Sequence, residues 1–245
     1  LKNAKNDPHP NKYFLCGGDM NDFASSSERK HINDGKIHET TIDKFDQMAE
    51  RDNRVIAKEI SFMKDKLLGI IDGNHNWIFQ TGKTATEDLA ERLNSEALGW
   101  LCVLTLNVFI KNRDFPHQIF IVMCHGKAGG KTSGATFNQV AELKGIFGNA
   151  DLYIMSHDHQ RGAKPESILV PYYCQKSHKT IVKHKQQLLI RTGAFKKAYE
   201  PATKGYEISR LLKPSNLGGL FVDIKIERNL SNGMDYLYNN ITATL

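Results

Sequence analysis

Leu67-Leu68-Gly69-Ile70-Ile71 runs without interruption into Asp72-Gly73-Asn74-His75, an apolar stretch closed by a turn that carries an acid, an amide and an imidazole. A short continuous apolar run bounded by turn residues predicts a buried strand that delivers polar side chains at its carboxyl end. The pattern recurs along the chain. Tyr13-Phe14-Leu15-Cys16 leads to Gly17-Gly18-Asp19, residues 118–123 lead to Cys124-His125-Gly126, and Leu152-Tyr153-Ile154-Met155 leads to Ser156-His157-Asp158-His159. In α/β sheets, ligands bind in the crevice beyond the carboxyl ends of the strands, so these ends define one place for chemistry.

Helices are expected between the strands. Over residues 42–68, Phe45, Met48, Ala49, Val55, Ile56, Ile60, Met63 and Leu67 recur at helical spacing, with a break expected near Asp52-Asn53. Residues 86–98 and 137–147 also read as helices, residues 101–110 as a strand, and residues 25–34 as a polar loop. After Arg161, strands are expected at 168–174, 180–184, 188–191 and 220–226. Alternating strands and helices followed by a run of strands predict an α/β sandwich of sheets flanked by helices.

The chain has 245 residues, 40% of them hydrophobic, enough for a core in one domain spanning residues 1–245. It has no run of eighteen apolar residues, and residues 1–6 lack the apolar stretch of a signal peptide. No membrane association is expected, and the expected location is cytoplasmic, the host cytoplasm for a phage-encoded protein. Cys16, Cys102, Cys124 and Cys174 lie far apart in apolar or strand-like stretches, which predicts buried reduced thiols and argues against a structural zinc site of paired cysteines. A net charge of +6 and a pI near 9.0 suit an anionic substrate or nucleic acid, although the basic residues are spread along the chain as they would be on any solvated surface.

Asp19, Asn74, His75, His125, His157 and His159 stand at the four strand ends. Each alone has an ordinary explanation as a turn or rim residue. Together they offer carboxylate, amide-oxygen and imidazole donors, a set that suits divalent Mn, Fe or Zn. A carboxylate can bridge two cations, and two such ions acidify a shared water and neutralise phosphoryl oxygens during in-line displacement.

The ordered series Gly18-Asp19-Met20-Asn21-Asp22, Gly73-Asn74-His75, His125-Gly126 and Ser156-His157-Asp158-His159 resembles the signature of calcineurin-like metallophosphoesterases. In that family Asp-x-His, Gly-Asp-x-x-Asp, Gly-Asn-His-Glu or Asp, His-Gly and Gly-His-x-His follow one another. Arg191-Thr192-Gly193-Ala194-Phe195, Gly205-Tyr206 and the strand after Gly218-Gly219 extend the resemblance to the C-terminal sheet of phage- and bacterial-type members. The resemblance implies a four-layer αββα sandwich of two mixed β-sheets flanked by helices. It implies hydrolysis of a phosphomonoester or phosphodiester by a hydroxide bridging two divalent metal ions, Mn, Fe, Zn or Mg. Asp19 would be the bridging carboxylate, Asn74, His125 and His157 would complete the shell of one metal, and His159 would bind the other together with the Asp and His of the Asp-x-His motif. His75 would bind no metal and would instead stabilise the transition state or protonate the leaving oxygen, with Asp22 orienting it or capping a helix.

Three departures stand out. Asp7-Pro8-His9 matches Asp-x-His literally, but it lies only about ten residues before Asp19, where a parallel crossover needs a dozen or more. The functional Asp-x-His is therefore expected upstream of Leu1. A chain without one is expected to be a catalytically impaired member acting as a nucleic-acid or protein binding module. Asn76 stands where the family has an acid, and Ser156 where it has glycine. Gly126-Lys127-Ala128-Gly129-Gly130-Lys131-Thr132 approaches a nucleotide-binding phosphate loop, but His125 occupies the place of its first glycine. The loop is expected to frame the metal cleft, with Lys127 and Lys131 available to a substrate phosphate. Nucleic acids, cyclic nucleotides and small phosphate esters all remain open as substrates.

Overall fold

Phe14–Cys16 (β1) and Leu67–Ile70 (β2) lie side by side and parallel, Leu15 against Gly69 and Cys16 against Ile70, so their carboxyl ends point the same way. The computed structural model describes residues 1–21, 23, 38–127, 133–174, 178–196, 199, 217–230 and 236–244. The chain divides into two compact units, Leu1–Cys102 and Val103–Leu245.

In the first unit a short helix, Lys2–Asn6 (α1), precedes β1, and Glu39–Glu59 (α2) lies in the connection that parallel neighbours require. Its apolar face follows the 3.6-residue period. Phe45, Met48 and Ala49 pack with Trp77 and Phe79, and Ile56 and Ala57 pack with Leu67, Ile70 and Leu89. The expected break at Asp52-Asn53 does not occur. Asn53 is fully buried, and its carboxamide donates to Ala85 O at 2.8 Å and Asp88 Oδ2 at 2.9 Å. A side chain bonded to a neighbouring helix cannot compete for its own backbone, so the residue that reads as a breaker is a tie instead.

That neighbour is Ala85–Arg92 (α3), opened by a capping box in which the Thr84 hydroxyl accepts from Glu87 N–H and the Glu87 carboxylate accepts from Thr84 N–H. It stops at Arg92, short of the expected Leu98, because residues 95–99 run along β2. Ile70 N–H donates to Glu96 O, Leu98 N–H to Ile70 O, and Asp72 N–H to Gly99 O. Leu98 covers Gly69 so closely that a Cβ there would lie 2.3 Å from Leu98 Cδ1.

The second unit is built on a five-stranded mixed sheet, of which only Leu101 and Cys102 precede the unit boundary. Its strands are Leu101–Val108 (β3), His117–Cys124 (β4), Leu152–Met155 (β5), Arg161–Cys174 (β6) and Lys179–Thr192 (β7), in the order β3-β4-β5-β7-β6. β4, β5 and β7 are mutually parallel, and β6 returns antiparallel to β7. The helix Ser133–Glu142 (α4) and a 3-10 turn at Leu143–Gly145 pack Val140 and Leu143 onto Val122, Tyr153, Met155 and Leu189. A further antiparallel hairpin, Phe221–Asn229 (β8) with Tyr236–Thr244 (β9), is joined to β7 by a reciprocal pair of bonds between the Gln186 carboxamide and the Ile241 backbone.

β7 is one strand where two short ones were expected, and β6 begins seven residues earlier than expected, at Arg161 rather than Ile168. Residues 161–167 are polar and contain Pro165, which an edge strand tolerates because one side of its backbone needs no partner. Of the cysteines, Cys124 is buried, while Cys16 and Cys102 are only partly so, and none of these three is in a disulfide. No helix among the described residues is long and apolar enough to cross a membrane.

Candidate functional site

The turn after β1 is left-handed, with φ 86° at Gly18 and 49° at Asp19. Positive φ is uncommon for a residue other than glycine and concentrates at functional turns. Here it carries the Asp19 carboxylate across to the turn after β2, where Oδ1 accepts the His75 N–H at 2.9 Å. The approach requires glycine at 73, since a Cβ there would lie 2.0 Å from Asp19 Oδ1 and 2.2 Å from Asp19 N. Asn74 and His75 are half-buried on the same turn. Asn76 Nδ2 donates to Asp72 Oδ1 at 2.9 Å, and Asn76 Oδ1 accepts Thr86 N–H at 3.2 Å, which fastens the turn to the start of α3. An ionised acid at 76 could not make the first of these bonds, so the departure from the family pattern has a structural use.

The second unit repeats the arrangement with imidazoles. His125 follows β4 and is 1% exposed, and His157 follows β5 with φ 68°. Because β4 and β5 are adjacent and parallel, the two residues leave the sheet at the same edge. His125 Nε2 and His157 Nδ1 are 3.2 Å apart, with the rings edge to face at 79°. Gly126, at φ 95°, has no room for a side chain, because a Cβ would meet Met155 Cγ at 2.5 Å. His159 lies on the same turn as His157, also left-handed, with φ 57°.

Between the two histidines, Asp158 forms an ion pair with Arg191 of β7 and accepts Gln160 N–H at 3.1 Å. Arg191 is 2% exposed, and burial pushes its guanidinium down to about 10, still charged at neutral pH. Ser156 accepts a 3.0 Å bond from the Thr192 hydroxyl, a link between β5 and β7 that glycine could not make. The Asp158–Arg191 pair was not anticipated, although a lone arginine in the apolar run Leu188-Leu189-Ile190-Arg191 is the kind of residue that needs a buried partner.

Asp19 and the Asn74-His75 turn are thus assembled within the first unit, and His125, His157 and His159 within the second. Asp7-Pro8-His9 follows α1 rather than a strand, and Asp7 Oδ1 accepts His9 N–H at 3.0 Å in a local turn. Lys127 is exposed and paired with Glu142 at 3.5 Å. Lys131, Asp22 and Gly205-Tyr206 lie outside the described residues. Trp77 is buried and donates from Nε1 to Asp46 Oδ1 at 2.7 Å.

Among solved structures, the chain is similar to wild-type Vps29 complexed with Zn+2 from Entamoeba histolytica, at 13% sequence identity and a TM-score of 0.31, over 77% of this chain and 88% of that chain. No protein-family model matches the chain, and no curated protein does.

Proposed function

We propose that the chain is a divalent-metal-dependent phosphoesterase of the calcineurin-like type, hydrolysing a phosphomonoester or phosphodiester. The observation that carries this reading is the 3.2 Å separation of His125 Nε2 and His157 Nδ1 at the carboxyl ends of adjacent parallel strands. Two imidazole nitrogens bound to one tetrahedral ion at about 2.0–2.1 Å stand roughly 3.3 Å apart. The donor chemistry fits as well, since nitrogen donors beside carboxylate and amide oxygens suit Mn, Fe or Zn better than the all-oxygen preference of Mg.

In this reading Asp19, Asn74, His125 and His157 would hold one ion and His159 would contribute to holding a second, and the ions when bound would supply Lewis-acid polarisation of the phosphoryl oxygens and an acidified water. Asp19 is kept in place by the His75 amide, which donates to its Oδ1 at 2.9 Å. The His75 imidazole, on the same turn, would protonate the leaving oxygen or stabilise charge on it. Asp158 holds the turn between the two histidines through its ion pair with Arg191. Lys127 and Lys131 add positive charge for the substrate. The architecture that accompanies this reading is the four-layer αββα sandwich.

The test is metal content per chain, wild type against Asp19→Ala, together with hydrolysis of bis-p-nitrophenyl phosphate with added Mn. About two metals per chain, with metal and turnover both lost in the variant, is the expected result. Absence of metal and turnover in the wild type with Mn supplied would replace the enzyme with a scaffold that binds nucleic acid or a protein.

A further inference from the structure

Arg161 opens β6, two residues after His159, and lies directly opposite Thr192 in the antiparallel ladder with β7. Opposed residues of such a pair project from the same face. The Thr192 hydroxyl on that face reaches Ser156, the residue before His157. Arg161 therefore leaves the sheet at the edge and on the face that carry the histidine turn.

Its surroundings are unusual for a guanidinium. Arg161 Nε is buried and has no hydrogen-bond partner among the described residues. Unlike Arg191, whose charge Asp158 neutralises, Arg161 has no carboxylate partner among the described residues. Two left-handed glycines keep side chains away from it. A Cβ on Gly218, at φ 117°, would lie 2.9 Å from Arg161 Nη1, and one on Gly193, at φ 79°, would lie 3.0 Å from Arg161 Cβ. A buried charged donor left unsatisfied is costly, and a planar fork of five N–H groups matches phosphate oxygens bidentately.

We infer that Arg161 is the anion-binding residue of this site and takes the non-bridging oxygens of the substrate phosphoryl group. The inference rests on the phosphoesterase reading for the identity of the anion, and on the buried, unpaired guanidinium nitrogen for the residue. The pairs that hold neighbouring charges leave this one to the ligand.

The experiment titrates inorganic phosphate into wild-type protein, Arg161→Gln and Arg161→Lys by calorimetry, with and without Mn, and measures metal content, Tm and KM for bis-p-nitrophenyl phosphate alongside. Arg161→Gln is expected to keep its metal and Tm while phosphate affinity falls roughly 10–100-fold and KM rises. Arg161→Lys, which keeps the charge but not the fork, is expected to recover part of the loss. Unchanged phosphate affinity in Arg161→Gln would overturn the assignment. Should Arg161→Gln unfold, Arg161→Lys carries the test, and phosphate affinity equal to wild type in that variant would likewise overturn it. Absence of metal and turnover in wild type counts against the phosphoesterase reading alone. Phosphate binding without metal that is lost in Arg161→Gln still supports Arg161, and a wild-type chain that binds no phosphate in either condition overturns it.

Discussion

His125 Nε2 and His157 Nδ1 stand 3.2 Å apart at the ends of parallel strands, one imidazole meeting the edge of the other. Without an ion, one ring must donate to the other, since two lone pairs at this distance repel. To bind an ion through both of these nitrogens, the donating ring would have to carry its proton on its other nitrogen. His157→Ala should therefore weaken Zn or Co binding by at least the roughly 10–100-fold that loss of an outer-shell partner costs. Calorimetric titration, or the visible bands of bound Co, measures this. Equal affinity in the variant and the wild type would remove His157 from the ligand set.

Gly73→Ala tests the other half. The added Cβ would lie 2.0 Å from Asp19 Oδ1 and 2.2 Å from Asp19 N, so moving the carboxylate alone cannot relieve the clash with the backbone. The expected cost is about 1–3 kcal/mol, read as an earlier urea midpoint, accompanied by reduced metal content as Asp19 is displaced. A variant as stable and as metal-loaded as wild type would mean that the Asp19–His75 bond does not organise this turn.

The four strand ends were legible because buried strands read as continuous apolar runs, and the polar residues that stop them have little other reason to recur in that order. The glycines of the motifs acquire a cause only in three dimensions: Gly73 makes room for Asp19, and Gly126 for Met155. Residues 161–167 and β9 were not legible as strands. Both are rich in polar residues, and their pairing depends on long-range partners in β7 and β8. Asn53 misled for the same reason, since local chemistry marks it as a helix breaker and only the partner helix shows why it is tolerated.

Asn53→Ala is expected to destabilise the first unit by about 1–3 kcal/mol, because it leaves Ala85 O and part of the Asp88 carboxylate without their buried donor. Asp88 keeps its bonds from Arg92, so the loss is partial rather than complete. The urea unfolding midpoint followed by Trp77 fluorescence measures it. A shift of less than about 0.5 kcal/mol, the size of an ordinary surface substitution, would show that the carboxamide contributes little.

Glu166 links β6 to the turn after α4 and gives a pH test of the second unit. The hydrogen bond from Lys144, and then the bond from Lys164, hold its carboxylate below the ordinary value of 4.5. A carboxylate with a depressed folded-state pKa contributes stability that is fully present above its unfolded value and disappears as pH falls through the folded one. Glu166→Gln should therefore be less stable than wild type near neutrality by about 0.2–1 kcal/mol, the range for pairs this close to solvent. The two proteins should converge as pH drops below the usual carboxylate range. Thermal unfolding between acid and neutral pH follows the gap. A gap that stayed constant through the acid range would mean that the carboxamide perturbs packing and that the charge on Glu166 is not what holds β6 to the turn at Lys144.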